Sequence, residues 1–210
     1  NLGSINLARM VIGEPTRAVI DWDKLARTIR LAVQFLDNVI DMNRFPLPQI
    51  EQMTKGNRKI GLGVMGFADM LALVGVSYAS DRALELAREI MCFIQGRARE
   101  ASAELAEARG VFPNWEHSVW AERGERVRNA TCTTIAPTGT LSIIAGTSSG
   151  IEPLFALAFE RHILGGETLV EVNPVFEQVA RAGGFHSDNL MRRVAERGTV
   201  RGMEEVPENI

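Results

Sequence analysis

Residues 130–153 constrain the fold of this 210-residue chain more than any other stretch. Residues 130–136 carry no charge and are rich in β-branched side chains, which predicts a strand that is buried on both faces. Pro137 and Gly139 then interrupt the strand, because proline lacks an N–H donor and glycine weakens extended structure. The sequence therefore predicts a buried strand that ends in a turn at this position.

A short helix is predicted directly after this turn. Residues 141–145 are a compact apolar run that ends at Gly146, and Thr138 or Thr140 lies near the predicted first turn. A turn between a strand and a helix presents free backbone N–H groups at the positive end of the helix dipole. This arrangement is typical of phosphate-binding sites.

The same pattern also fits an ordinary strand-to-helix connection in an α/β domain. The Gly-Lys-Ser/Thr ending of the P-loop of NTPases is absent, and residues 131–153 contain no lysine or arginine. A phosphate bound here would therefore be held by backbone amides and threonine hydroxyls.

The composition argues against several other kinds of site. A net charge of −3 gives no electrostatic footprint for nucleic acid, and no apolar run reaches membrane-spanning length. Cys92 and Cys132 form no CxxC motif and the three histidines lie far apart, so no metal site is predicted. This cysteine usage fits a reduced, cytoplasmic setting, with both cysteines expected in the core.

Periodic apolar patterns predict the other elements of an α/β chain. Residues 1–7 and 154–163 have the character of strands. In the longest predicted helix, a buried apolar stripe is expected to run from Leu84 through Ile94 to Ala108. Besides the short helix after the turn, helices are predicted over residues 22–43, 81–109, 174–182 and 188–197.

Gly61, Gly63 and Gly66 have the spacing of a dinucleotide-binding fingerprint. We reject that interpretation, because residues 51–59 are too polar for the required preceding strand and no acidic ribose ligand is placed. The apolar residues of the stretch 57–73 share one helical face, so a helix is predicted there, with glycines that allow close packing.

Several separated segments together point to a known family. They are residues 129–131 with 133–142 and 149–153, residues 1–7, residues 57–71, and the stretch from Glu171-Val172-Asn173-Pro174 to the end of the chain. In this order the segments closely resemble the catalytic chain of ribonucleotide reductases. The likeness is nearest to the adenosylcobalamin-dependent class II enzymes.

The resemblance implies a fold and a reaction. The fold is a ten-stranded α/β barrel, of which residues 1–210 are expected to be a fragment, incomplete at both ends, within a single catalytic domain. The reaction replaces the ribose 2′-hydroxyl with hydrogen through a thiyl radical. The family's radical cysteine, its acid partner and its redox pair match no residue here, so no catalytic residue is expected in this chain.

The resemblance also implies a binding site. Pro137, Thr138, Gly139, Thr140 and Leu141 match the turn that holds the substrate's phosphates in this family. Glu152 has two interpretations, as a buried carboxylate near the site or as a turn residue that bonds backbone amides before proline. The turn interpretation is preferred, because Gly-Ile-Glu-Pro is typical turn chemistry.

The remaining expectations follow from the family. The cofactor is adenosylcobalamin, the substrate is a ribonucleoside di- or triphosphate, and a thioredoxin-type protein or another dithiol is the reductant. Nucleotide effectors bind elsewhere in a full-length chain, which is expected to form a homodimer. Two alternatives stay open: a nucleotide-binding or phosphate-binding α/β module without catalysis, and a barrel enzyme of the glycyl-radical type.

Overall fold

The computed structural model describes residues 1–154, 156–162 and 168–207. In this part of the chain, groups of strands and groups of helices follow one another, together with two short 3₁₀ helices at Leu7–Arg9 and Trp115–His117. The strands are β1 Leu2–Asn6, β2 Val11–Ile12, β3 Val19–Ile20, β4 Gly61–Met65, β5 Ala158–His162 and β6 Thr168–Val172. The helices are α1 Trp22–Met42, α2 Pro48–Asn57, α3 Phe67–Leu73, α4 Asp81–Arg109, α5 Val119–Glu122, α6 Gly139–Ala145, α7 Pro174–Ala182 and α8 Asp188–Arg197.

The strands pair two by two. The described residues contain the pairs β1–β4, β2–β3 and β5–β6. The α/β class is confirmed, and no closed barrel is present in the described part of the chain. These residues form two compact units, of which the first comprises Asn1–Ile5, Trp22–Val64 and Glu85–Pro137, and the second comprises Asn6–Asp21, Met65–Leu84 and the described residues from Thr138 on.

Helix α1 supplies much of the core of the first unit. It confirms the predicted helix to within one residue at its end. Because its apolar side chains recur every three or four residues, they share one face and are removed from water together. The buried members of this face are Leu25, Ile29, Val33, Leu36 and Ile40.

A group of charged and polar side chains, all buried except Asp41, also lies in the first unit. Arg58 donates from Nε to Asp37 Oδ1 at 2.9 Å, and from its two terminal nitrogens to both oxygens of Asp41 at 2.8 and 2.9 Å. Asn129 donates from Nδ2 to the same Asp37 oxygen at 2.9 Å and accepts from Ser102 Oγ at 3.0 Å. The charges are thus paired and hydrogen-bonded, as buried charges must be.

The helix predicted over residues 57–73 is wrong in its first half. Gly61–Met65 is the strand β4, in which every residue is buried, and only Phe67–Leu73 is helical. A Cβ on Gly63 would lie 2.8 Å from the carbonyl oxygen of Thr134, so this glycine allows a close approach between backbones. Gly61 and Gly63 therefore lie inside a strand rather than in the turn of a dinucleotide fingerprint.

Residues 130–136 are not a strand buried on both faces. They pair with β4 through one parallel bridge between Leu62 and Thr133, with Leu62 N–H donating to the carbonyl of Cys132 at 2.7 Å. Ile135 is half exposed. Among the described residues, β4 is the only strand that pairs with this segment.

The second unit contains the confirmed helices α7 and α8. Asn173 caps α7 as predicted, because its Oδ1 accepts from the N–H groups of Val175 and Phe176 at 2.9 Å. Strand β5 confirms the second half of the strand predicted over 154–163, although Phe155 and Ile163 lie outside the described residues. The apolar core shared by β5, α7, α8 and the chain after α8 consists of Ala158, Phe176, Ala180, Leu190, Met191, Val194, Met203 and Val206.

Helix α4 has the predicted bounds but buries a different face near its ends. Ile94 is buried as expected, whereas Leu84 is exposed and its neighbours Ala83 and Leu86 are buried instead. The predicted stripe followed a strict heptad, which drifts by about 20° per heptad on a straight helix. Over the 29 residues of α4 this drift separates the predicted face from the buried one at both ends.

The two cysteines have different surroundings. Cys92 is exposed on α4, so its prediction as a core residue is wrong, while Cys132 is partly buried. Burial raises the pKa of the Cys132 thiol to about 11. Cys132 therefore remains a thiol at neutral pH, which suits packing rather than nucleophilic or redox chemistry.

The two thiols are expected to differ in their reaction with an alkylating reagent. At pH 8 only about one Cys132 in a thousand is a thiolate, the reactive form, and its access to solvent is also smaller than that of Cys92. Mass spectrometry of native protein after timed exposure to iodoacetamide should find Cys92 modified first. Equal rates for the two cysteines in folded protein would contradict the packing role of Cys132.

Candidate phosphate-binding loop

The predicted helix after the turn is present as α6. It begins at Gly139, ends at Ala145 and is closed by Gly146 in the left-handed conformation, with φ of 62°. Its first intrahelical hydrogen bond runs from Ser142 N–H to the carbonyl of Thr138 at 2.8 Å. The N–H groups of residues 139–141 precede this bond and have no acceptor inside the helix.

Thr138 adopts an unusual backbone conformation. Its φ of 56° and ψ of 24° lie in the left-handed region, which β-branched residues rarely occupy and which costs on the order of 1–3 kcal/mol. Its side chain does not cap α6, although threonine is a common cap. Its Oγ1 instead accepts from the N–H of Gly150 at 2.7 Å.

A second contact holds the same region together. We call residues 147–150 the return segment, because they follow α6 and come back to its first turn. Ser142 is buried, and its Oγ lies 2.7 Å from Oγ of Ser149 and donates to the carbonyl of Gly139 at 3.0 Å. The return segment thus bonds both to Thr138 and to α6, which closes the loop.

The outer surface of α6 is apolar and open. Ile143 and Ile144 are 81% and 78% exposed, so the predicted apolar run forms a helix but is not buried. A Cβ on Gly139 would meet no atom of the described chain within 4 Å. Among the described residues, the side of Gly139 on which a side chain would stand is therefore open.

The donors present define what the loop is able to do chemically. It offers the backbone amides of residues 139–141 and the hydroxyl of Thr140, which is exposed with Pro137, Gly139 and Leu141. No lysine or arginine stands between residues 131 and 153. Such a loop can hold and orient an anion, but it has no group that would donate or remove a proton in a reaction.

Glu152 lies outside this loop on an exposed turn. Its backbone N–H donates to the carbonyl of Ser149 at 2.9 Å, and the residue is exposed. The turn interpretation agrees with this position, and the interpretation as a buried carboxylate is wrong for this structure.

Other kinds of site have little support in the described residues. Within residues 1–154, 156–162 and 168–207, no group of three or more His, Cys, Asp or Glu side chains is placed to hold a metal ion. No helix in the same residues is both long and apolar enough to cross a membrane.

Comparison with known proteins identifies the family. Residues 1–210 match the sequence model of the ribonucleotide reductase barrel domain. The chain therefore belongs to the ribonucleotide reductase barrel family, as the sequence motifs predicted.

Two relatives share about half of their aligned residues with the chain. It is 53% identical over 204 residues, 97% of its length, to a vitamin B12-dependent ribonucleoside-diphosphate reductase of Thermoplasma acidophilum, and covers 26% of that protein. It is 50% identical over its full 210 residues to the reductase of the same name from Mycobacterium tuberculosis strain H37Rv, and covers 29% of it. A more distant relative, at 31% identity over 247 residues, is the ribonucleoside-diphosphate reductase subunit alpha of Chlamydia trachomatis, of which the chain covers 23%.

The chain thus spans less than a third of the length of these relatives.

The sequence motifs gave the position of the loop, but they did not reveal the contacts made by the return segment. Ser149 and Gly150 belong to the motif of residues 149–153, and their proximity to the loop in sequence was the one available signal.

Proposed function

We propose that this chain is part of a class II ribonucleotide reductase that converts ribonucleoside diphosphates to 2′-deoxyribonucleoside diphosphates. The observation that carries this proposal is the match of the whole chain to the reductase barrel family and to relatives named as B12-dependent diphosphate reductases. Residues 1–210 would then be one part of a single catalytic barrel domain in a longer protein.

In this proposal, residues 137–141 hold the substrate's phosphates. The support is the run of amides at the start of α6 that have no acceptor inside the helix, the open space beside Gly139 among the described residues, and the contact that fixes Thr138. Each hydrogen bond from an amide or hydroxyl to a charged phosphate oxygen contributes about 1.5–3 kcal/mol. Because the phosphates do not react, this binding energy serves to place the ribose.

The chemistry itself is proposed from the family. The C2′–OH bond breaks, a C2′–H bond forms, and water leaves, while a dithiol supplies two electrons and two protons and becomes a disulfide. The family assigns the initiating step to a thiyl radical. We place its cysteine outside this chain, because Cys92 lies exposed in α4 and Cys132 is a packing residue with a raised pKa.

The cofactor is proposed as adenosylcobalamin from the names of the relatives. The described residues do not provide a fit for it. A cavity of about 1100 Å³ in the second unit is lined largely by apolar side chains, among them Leu71, Val76 and Phe176. The one tyrosine hydroxyl beside it, on Tyr78, already donates to the carbonyl of Ile151 at 2.8 Å. No step of the reaction is therefore assigned to a cofactor contact in this chain.

The partners and the location in the cell are also proposed from the family. We propose a thioredoxin-type protein or small dithiol as reductant, effector nucleotides bound elsewhere in the full-length chain, a homodimer, and a cytoplasmic setting. The match of all 210 residues to the reductase barrel family and to a reductase relative supports this function. It favours a reductase over a phosphate-binding module without catalysis and over a glycyl-radical enzyme.

A substitution at Gly139 tests the phosphate role. In the full-length reductase, Gly139→Val is expected to weaken the binding of a ribonucleoside diphosphate by about 1.5–3 kcal/mol, the value of one charge-assisted hydrogen bond. A Cβ at this position meets no described atom within 4 Å, so the loss is expected to arise from obstruction of the ligand. Titration calorimetry measures the effect directly.

Gly96→Val provides the matched control. Gly96 lies on α4 in the first unit, and a Cβ added to it would likewise meet no described atom within 4 Å. It should leave substrate binding unchanged, and Gly139→Val should leave effector binding unchanged. Unaltered diphosphate affinity in Gly139→Val would remove the phosphate role from this loop.

A further inference from the structure

We infer that Asp69 is a positioning residue that fixes the conformation of the phosphate-binding loop through the return segment. This inference rests on the proposed phosphate role of residues 137–141. Asp69 lies in the first turn of α3, in a stretch that the sequence predicted only as a packing helix. Its side chain is 1% exposed, yet it is a carboxylate, and burial of such a group requires hydrogen-bond partners.

The partners of Asp69 come from two other segments of the second unit. Its Oδ2 accepts from Thr147 Oγ1 and from the N–H of Ser148, both at 2.7 Å. The backbone N–H of Asp69 in turn donates to Ser148 Oγ at 3.3 Å. The first half of the return segment is thus bonded to Asp69 through both side-chain and backbone atoms.

The second half of the return segment is bonded to the loop. Ser149 meets Ser142 through their hydroxyls, and Gly150 donates to Thr138 Oγ1. Because these four residues are consecutive, a displacement at Thr147 and Ser148 moves the groups that hold Thr138 in its left-handed conformation. Asp69 therefore acts on the loop through the return segment without touching the loop itself.

The same carboxylate also reaches α7. Its Oδ1 accepts from Asn173 Nδ2 at 3.3 Å, and Oδ1 of Asn173 caps the first turn of α7. One buried side chain thus joins α3, the return segment and the start of α7. Such a fully bonded group gives the return segment a single position.

Two substitutions in the full-length reductase test this role. Asp69→Asn keeps the size of the side chain but puts an NH₂ group among neighbouring donors, and Thr147→Val removes one hydroxyl at constant shape. Each is expected to weaken binding of a ribonucleoside diphosphate about tenfold, the equivalent of one hydrogen bond to a charged group. Affinity for the parent nucleoside, which has no phosphate, should remain within about twofold of wild type, since only the phosphate contacts are displaced.

The controls separate positioning from a general loss of structure. Thr147→Ser retains the hydroxyl and should bind the diphosphate as wild type does. The double variant Asp69→Asn/Thr147→Val should lose less than the sum of the single losses, because both substitutions remove one shared contact. If Asp69→Asn fails to fold, the comparison of Thr147→Val with Thr147→Ser decides the question.

The possible results distinguish this inference from the function on which it rests. Equal loss of diphosphate and nucleoside affinity would overturn the positioning role, as would unchanged diphosphate affinity in Thr147→Val. If Gly139→Val lowers diphosphate affinity and Asp69→Asn does not, the loop binds phosphate and Asp69 does not position it. If neither variant alters diphosphate affinity, the phosphate role itself is wrong.

Discussion

Asp37→Ala is expected to reduce the free energy of local unfolding around α1 by about 3–5 kcal/mol, the usual cost of removing one partner from a buried ion pair. Asp37 is 0% exposed and accepts from Arg58 and Asn129. It also lies 3.3 Å from Nη1 of Arg109 and 3.5 Å from Nε of Arg128. Without the carboxylate, the buried Arg58 guanidinium keeps its charge and loses its central counterion, and the Asn129 amide loses an acceptor.

Hydrogen-exchange mass spectrometry of the full-length protein measures this effect where it occurs. Peptides from α1 and from residues 127–131 should exchange faster in Asp37→Ala, while peptides from α8 in the second unit should not. Protection of the α1 amides at the wild-type level would contradict the prediction.

Asp41→Asn is the matched control, because Asp41 binds the same arginine from a side chain that is 50% exposed. Solvent screens this contact, and a loss of only about 0–1 kcal/mol is expected. The hydrogen bond from Arg58 holds the pKa of Asp41 below its usual range. The stabilisation that Asp41 provides is therefore fully present above the pKa of a free aspartate and is lost as the pH falls through the lowered pKa. Asp41→Asn should remove this part of the acid sensitivity.

Gly66→Ala is expected to destabilise the second unit by about 2–4 kcal/mol, from the left-handed backbone and from overpacking together. Gly66 has φ of 72°, and an added Cβ would lie 2.5 Å from Thr147 Oγ1 and 2.6 Å from Asn6 Oδ1. The residue therefore has no room for a side chain at the point where the chain turns from β4 into α3. Thermal unfolding measures the loss of stability, and hydrogen exchange in α3 and the return segment shows where it occurs.

Gly96→Ala is the appropriate comparison for this substitution. Gly96 lies within α4 with a negative φ and nothing within 4 Å of an added Cβ. Alanine there should stabilise the helix, by up to about 1 kcal/mol. Similar melting temperatures for the two alanine variants would show that the crowding at Gly66 is relieved at little cost.

The elements that the sequence predicted correctly are those with signals inside themselves. Helices α1 and α7 have a 3.6-residue apolar period, and α7 also has an Asn-Pro start that caps it. Strand β4 was misread because a strand buried on both faces has no alternation, and its few apolar residues also fit a helical face. Helix α2 was missed, since it is polar and begins at Pro48 itself.

The candidate site was predictable only in part for a related reason. The position of the loop and of α6 could be read from the local pattern of proline, glycine and apolar residues. The contact between Gly150 and Thr138 joins residues twelve apart, and the contacts between Asp69 and the return segment join residues 78 and 79 apart. No local periodicity encodes such pairs, so only the folded chain brings them together.

The left-handed Thr138 has a consequence for the thermodynamics of binding. Its conformation is held by Gly150 and the return segment within the folded chain. The entropy lost by the loop and its backbone strain are therefore part of the cost of folding. If residues 139–141 bind phosphate as proposed, their amides are already aligned before the ligand binds. A preorganised loop of this kind keeps more of its gross interaction energy as affinity than a loop that must order itself around its ligand.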